Sequence, residues 1–205
     1  LLSMSTGHAD DALPALSRTI TGDWVEGFFT VPVVYPPGSF FVYNSGATYM
    51  LSAILQRLTG TLLLDYLEPR LLQPLGITGA AWEVSPQGIN TGGWGLSIRT
   101  EDIARFMQMY AQNGVWNGQQ ILPADWVREA TSRQIGNEHR ENTDWQQGYG
   151  FQFWRSQHGA YRGDGAFGQF GIVMPEQDAV LAITSGVEDM QSVLNLVWEH
   201  LLPAF

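Results

Sequence analysis

The hydrophobic pattern of this 205-residue chain changes period once, near Gly148, and that change limits the folds it can adopt. Before it, apolar residues recur at helical spacing. Leu51, Ile54, Leu55 and Leu58 fall at i, i+3, i+4 and i+7 and predict a helix over about 47–58, with Ser45 as N-cap and Gly60 just past its end. A second helical pattern, about 62–72, contains Pro69, whose missing N–H should break or kink it. A third runs over about 100–113 with Ile103, Phe106, Met107 and Tyr110 on one face and stops at Gly114. A fourth opens at Pro123-Ala-Asp-Trp126, and residues 9–29 have room for one or two short helices. After Gly148, Tyr149, Phe151 and Phe153 alternate with smaller or polar residues, as in a strand. Residues 168–174 and 179–184 read as two further strands, joined into a hairpin at Pro175-Glu-Gln-Asp178. Residues 189–202 close the chain as a helix. A helical block, then antiparallel strands, then a helix is the order of an α+β fold and not of alternating βαβ units. The expected division is 1–147, mainly helical, and 148–205, strands and closing helix.

The ten basic residues are all arginines, against twenty acids, for a net charge of −10. Nucleic acid is therefore not an expected partner, because phosphate binding needs a basic surface, and anionic membranes are disfavoured for the same reason. There is no cysteine, which excludes disulfides, thiol catalysis and thiolate metal sites. No apolar run is long enough for a transmembrane helix. The compartment stays open: an oxidising one, periplasmic or extracellular, fits the composition, and so does the cytoplasm. His8 with Asp10 and Asp11 fits no single helix or strand face, so a solvated loop is expected there. His139, His158 and His200 read as surface residues. No metal and no cofactor is expected. Sequence elbows and loops of the types Gly-x-Ser-x-Gly, His-Glu-x-x-His and Gly-x-x-x-x-Gly-Lys are absent. Most of the eight tryptophans read as core; Trp94, after Gly92-Gly93, is placed at the border of a cleft.

The segment Phe40-Phe41-Val42-Tyr43-Asn44-Ser45-Gly46 places a tyrosine directly before a helix N-terminus. Free N–H groups and the positive helix end suit an anion, and a tyrosine there can shuttle protons once its pKa is brought below its reference value of about 10. Taken as plain structure, the same residues are a capped helix behind a packed aromatic.

Residues 37–45, followed by a helix ending Leu58-Thr59-Gly60, resemble the Tyr-x-Asn region of class C β-lactamases, a group that includes D,D-peptidases, other penicillin-binding-protein-like hydrolases and related esterases. Three further stretches agree in order. Leu1-Leu2-Ser3-Met4-Ser5-Thr6-Gly7-His8 resembles the family's LLTHTSGL segment. Residues 92–106 resemble its Gly-Gly, Ser, Asp-Leu-Ala-x-Phe helix entry. Gly163-Asp164-Gly165-Ala166-Phe167-Gly168-Gln169 resembles its third-motif strand. The resemblance implies a β-lactamase/transpeptidase-like fold and a serine hydrolase acting on amide or ester bonds through an acyl-enzyme. A small-molecule or peptide acyl group is the implied substrate. Tyr43 would assist proton transfer, Ser45 would hydrogen-bond in the site, and Asp164, Gly165, Ala166 and Trp94 would line the substrate.

This chain departs from the family's pattern in three ways. The family nucleophile is the serine of a Ser-x-x-Lys tetrad, which a chain without lysine cannot contain; the opening on Leu1-Leu2 reads as the interior of an element, with residues expected upstream. Ser45 stands where the second motif has asparagine, a mild change because serine still donates and accepts. Asp164 stands where the third motif has a cation. If it faced the pocket it would repel a substrate carboxylate and raise the tyrosine pKa, favouring neutral or cationic acyl substrates, unless Arg162 two residues before neutralises it. This chain alone is therefore expected to be inactive. The alternatives are a non-catalytic binding or scaffold module derived from the family, and a hydrolase of another class using His8 or His158 as base. Sheet edges left open by absent strands would favour self-association or pairing with an N-terminal part.

Overall fold

The computed structural model describes residues 1–17, 22–141 and 143–205. They pack as two compact units, Leu1–Ile98 and Arg99–Phe205. Among the described residues no helix is long and apolar enough to cross a membrane.

In the first unit, helices α1 (Leu13–Ser17) and α2 (Trp24–Thr30) occupy the stretch with room for short helices, and residues 18–21 between them lie outside the described residues. Helix α3 spans Ser45–Thr59. Its N-cap is Asn44, not Ser45: the Asn44 side chain accepts the N–H of Ala47, and Ser45 is already the first helical residue. Gly60 ends the helix at φ 69°, as its position predicts. The buried face is not the predicted stripe. Gly46, Ala47, Tyr49, Met50, Ser52 and Ala53 are buried, whereas Ile54 and Leu58 are exposed. The small residues win because they let other backbone come close. A methyl group added at Gly46 would lie 2.9 Å from the Ala12 side chain. One at Gly93 would lie 2.9 Å from the Ser45 carbonyl, and one at Gly92 2.9 Å from that of Thr48.

After Gly60, α4 (Leu63–Leu67) and α5 (Gln73–Leu75) are joined by a π turn, Glu68–Leu72. The break expected at Pro69 is thus a widened turn: the ring supplies no N–H, and the N–H of Gln73 reaches back to Glu68. A short antiparallel pair, β1 (Ala81–Trp82) with β2 (Leu96–Ser97), brackets the Gly92-Gly93 loop.

The second unit begins with α6 (Thr100–Ala111). A two-residue turn at Asn117-Gly118, both at positive φ, joins β3 (Val115–Trp116) to β4 (Gln119–Gln120). Helix α7 is Ala124–Thr131. Four antiparallel strands follow in the order β5 (Trp154–Arg155), β6 (Tyr161–Gly165), β7 (Gln169–Met174) and β8 (Ala179–Ile183). The predicted hairpin at 175–178 is present, with Asp178 in the left-handed region. The strand expected over Tyr149, Phe151 and Phe153 is not. Tyr149 makes isolated bridges, and Gln152 turns the chain at φ 64°. Gly150 explains this, since a methyl group there would lie 2.1 Å from the Ala130 carbonyl, so the chain is seated against α7 before it enters β5.

Helix α6 covers one face of the sheet at Gly163 and Gly171, which pair across β6 and β7. Added methyl groups there would meet Met107 Cε at 3.1 and 2.6 Å. Phe170, Ile172 and Met174 point the other way, into a core with Leu194, Val197 and Trp198. Those last residues belong to α8 (Met190–Leu196) and the π turn that follows it, Val197–Leu201.

Gly60 and Gly92 form a matched pair, at φ 69° and 70°, one with nothing within 4 Å and one against Thr48. Gly60→Ala should cost about 1–2 kcal/mol, the left-handed penalty alone. Gly92→Ala adds overpacking of about 1–3 kcal/mol. Chemical denaturation of both variants should show Gly92→Ala clearly the less stable; equal losses would mean the close contact with α3 is not a constraint.

Candidate active site

Asn44 fixes the entry to α3. Its side chain is fully buried, and its Oδ1 accepts the N–H groups of Ala12 (3.2 Å) and Ala47 (3.0 Å). Its Nδ2 lies 3.1 Å from His8 Nδ1 and donates to Thr6 Oγ1 at 3.4 Å. An amide nitrogen only donates, so His8 Nδ1 is an acceptor and the ring proton sits on Nε2, toward the backbone of Val31. Burial holds His8 below its ordinary pKa, partly offset by that bond to Val31. The ring stands edge-on to Phe28, 4.8 Å between centroids. His8 is therefore a buried neutral strut and not the solvated loop residue expected from its spacing.

Tyr43 is partly exposed, and the backbone on both sides of it is held by Met4. Val42 N–H donates to the Met4 carbonyl (2.9 Å), and Asn44 N–H points at Met4 Sδ (3.4 Å). Ser45 opens the helix. The free N–H groups expected at this helix start are largely occupied: Asp11 Oδ1 takes Gly46 N–H at 3.3 Å, and Asn44 takes Ala47 N–H. An anion would have to compete with a carboxylate already in place. Gly93, packed on the Ser45 carbonyl, sets Trp94 beside this first turn. The Trp94 carbonyl accepts the indole N–H of Trp82 at 2.8 Å, which fixes the loop. Tyr43, Ser45 and Trp94 thus all belong to the first unit.

Asp164, Gly165 and Ala166 belong to the second, at the end of β6. The Asp164 side chain is only 8% exposed and lies 3.5 Å from Arg162 Nε, whose side chain is wholly buried. Arg162 Nη1 donates to the Asp144 carbonyl (3.1 Å) and to Ser156 Oγ, and its guanidinium stacks 4.3 Å over Trp145. Asp144 in turn accepts from Gln191 (2.8 Å), Trp198 Nε1 (2.9 Å) and Gln157 (3.0 Å). Burial pushes the Asp164 carboxyl up to about 6, against the pull of Arg162. The condition for carboxylate repulsion, an aspartate facing a pocket, is not what these contacts describe: the charge is paired inside the unit. Asp164 is also a strand residue, paired with Phe170, and not part of a turn. The turn comes after it, at Ala166 and Phe167, both exposed, and Gly168. Ser185 Oγ lies 2.8 Å from the Phe167 carbonyl, and Val187 N–H donates to the same oxygen at 2.9 Å.

Sequence reasoning missed Asn44, Asp11 and the Arg162–Asp144 pair. An asparagine three residues before a helical N–H is a capping signal, so Asn44 was findable. Asp11 accepts the nearby Leu13 N–H (2.9 Å), but its bond to Gly46 and the bonds of Asp144 to Gln157, Gln191 and Trp198 cross more than ten residues and leave no local trace. Among the described residues no cluster of His, Asp and Glu is able to hold a metal.

The sequence pattern of the Beta-lactamase family matches residues 1–195, so the chain belongs to that family. A lovastatin esterase from Penicillium rubens is 35% identical over 54 residues, 26% of this chain and 13% of the esterase. Among solved structures, a Bacillus anthracis protein described as a 6-aminohexanoate-dimer hydrolase superposes with a TM-score of 0.72 at 22% identity, over 98% of this chain and 58% of its own. The octameric penicillin-binding protein homologue of Pyrococcus abyssi gives a TM-score of 0.69 at 18% identity, over 98% of this chain and 55% of its own. The fold is the β-lactamase/transpeptidase-like α+β fold, and the chain spans little more than half of these neighbours.

Two buried groups give opposite pH slopes. The unfolded chain protonates His8 near 6.5, whereas the folded ring resists, so the stability that neutral His8 contributes is complete above that value and is lost as pH falls toward the depressed folded one. Asp164 titrates near 6 when folded and near ~3.9 when unfolded; the folded state holds the extra proton, and stability is lost as pH rises from ~4 through about 6. Urea denaturation from pH 4 to 8 should show His8→Gln losing less stability than wild type on going from pH 7 to 5, and Asp164→Asn losing less on going from pH 4 to 7. Unchanged slopes in either variant would contradict the burial described.

Proposed function

We propose that this member of the Beta-lactamase family is the part of a serine hydrolase that carries its proton relay and acyl pocket, acting on amide or ester bonds of a small-molecule or peptide substrate through an acyl-enzyme. The observation that supports this is the immobilised Tyr43: a partly exposed hydroxyl-bearing ring between two backbone positions pinned to Met4, directly ahead of a capped helix. A proton relay needs a fixed position more than it needs strength, because proton transfer falls away once the partners leave hydrogen-bond range. The nucleophile Oγ attacks the acyl carbon and its proton leaves through Tyr43 toward the departing amine or alcohol; water then resolves the ester. Ser45 serves as a hydrogen-bonding partner in the site, and Trp94, in the same unit, borders the acyl group. The nucleophile comes from outside these 205 residues, since a chain without lysine holds no Ser-x-x-Lys. Self-association through the edges of the four-stranded sheet, or pairing of those edges with an N-terminal part, belongs to the same reading.

The test is intact mass spectrometry before and after a fluorophosphonate serine probe. The 205-residue chain should take no adduct. A longer form containing an upstream Ser-x-x-Lys should take one, and Tyr43→Phe in that form should lower the labelling rate by about 10²–10⁴, the usual size of a lost acid–base contribution. An adduct on the 205-residue chain would overturn the reading. A longer form that stays unlabelled would leave the binding or scaffold role as the surviving one.

A further inference from the structure

Beside the first turn of α3 lies a pair of indoles. Trp24 and Trp94 are 5.9 Å apart between ring centroids, tilted by 33°, and both are partly exposed. Tyr49, fully buried, backs Trp24 at 5.4 Å. Both indoles are held in place. Asp23 caps α2 by accepting the N–H groups of Val25 and Glu26, Trp24 N–H donates to Gln87 Oε1 at 3.3 Å, and Gln87 Nε2 donates to the Gly22 carbonyl at 2.6 Å. Trp94 is fixed through its own carbonyl and through Gly93, which is seated on Ser45.

Among the described residues two carboxylates stand close to the pair, and Arg57 lines the same depression as Asp23 and Gln87. Asp23 adjoins Trp24 and acts on the Tyr49 hydroxyl. Glu83 lies against Gly95, the residue after Trp94: its Cδ would lie 2.8 Å from a methyl group added there. Residues 1–98 hold seven carboxylates against three arginines and no lysine. Of those arginines, Arg70 is engaged over the Tyr66 ring at 4.0 Å. Indole faces attract cations through the ring quadrupole, and tryptophan does so best. Neighbouring carboxylates add to that attraction, and a carboxylate-bearing ligand would be repelled at the same place.

We propose that Trp24 and Trp94 form a recognition surface for an alkylammonium group, so that the substrate is an ester or amide carrying a positive charge a few bonds from the acyl carbon. Trp24 is then a specificity-determining residue. The substrate assignment rests on the acyl-enzyme reading above, because it is Ser45 and Tyr43 that give the place beside α3 its chemistry. The preference for cations comes from this pair and its carboxylates, not from Asp164.

The experiment is isothermal titration calorimetry of the intact chain with butyltrimethylammonium, and with 3,3-dimethylbutan-1-ol as the uncharged probe of similar shape. The wild type should bind the cation and not the alcohol, and added salt should weaken it. Trp24→Ala and Trp94→Ala should each weaken it about tenfold, whereas Trp126→Phe, in the other unit, should leave it unchanged. If an alanine variant loses its native circular dichroism, Trp24→Phe and Trp94→Phe take its place and should weaken binding by a few-fold, since a phenyl ring holds a cation less well. Equal binding of the alcohol, no binding of the cation, or undiminished binding in the tryptophan variants would overturn the proposal. The readout is binding and needs no turnover, so it fails or succeeds separately from the acyl-enzyme reading.

Discussion

One carboxamide organises the first unit. Asn44 has two lone pairs and two N–H groups to satisfy, and each finds a partner: Ala12 and Ala47 on the oxygen, Thr6 and His8 on the nitrogen. An unmet buried polar group costs about 1–3 kcal/mol, so this full complement decides between one arrangement of three segments and any slipped one. The segment 1–8, the chain ahead of α1 and the start of α3 are all defined relative to this side chain. Tyr43 and Ser45 are its immediate neighbours in sequence. Their positions follow from it, whatever the chemistry they carry.

The second unit has a counterpart in Arg162. A guanidinium cannot shed its charge, so burying it demands replacement of its water. The replacement is partial: Nη1 donates to the Asp144 carbonyl and Ser156, the Trp145 face stacks on the plane and Asp164 supplies the counter-charge at 3.5 Å, while Nε and Nη2 make no hydrogen bond among the described residues. Asp144 then passes the constraint on, through Gln191 and Trp198, to the C-terminal helix. The aspartate that looks from sequence like an inverted substrate anchor is in this light the counter-ion of a core arginine. That shifts the source of any substrate charge preference away from the third-motif strand.

Much of the fold was legible because periodicity and turn chemistry are local. The hairpin at 175–178, the stop at Gly114 and the closing helix follow from residues within a few positions of each other. The stripe on α3 misled because counting apolar side chains ignores how near another backbone comes; Gly46, Ala47 and Ala53 are buried because they are small. Tyr149, Phe151 and Phe153 alternate like a strand, yet Gly150 lies so close to Ala130 that the chain turns instead. At the proposed site, Tyr43 and Ser45 stand out in the sequence only through the motif they resemble. Asn44 between them was passed over as the variable position. The roles of His8 and Asp11 depend on partners more than thirty residues away, which no spacing rule reaches.

The turn after β6 separates two properties that usually change together. Its main chain is clamped by Ser185 and Val187, while the Phe167 side chain is 55% exposed at φ 68°. Main-chain shape there is set by residues some twenty positions downstream, and the side chain answers to little but solvent. A lineage could therefore exchange residue 167 among the side chains that a left-handed backbone tolerates, trying new surface chemistry at that tip while the strand beneath keeps its register. In such a fold, divergence of surface chemistry can run ahead of divergence of structure.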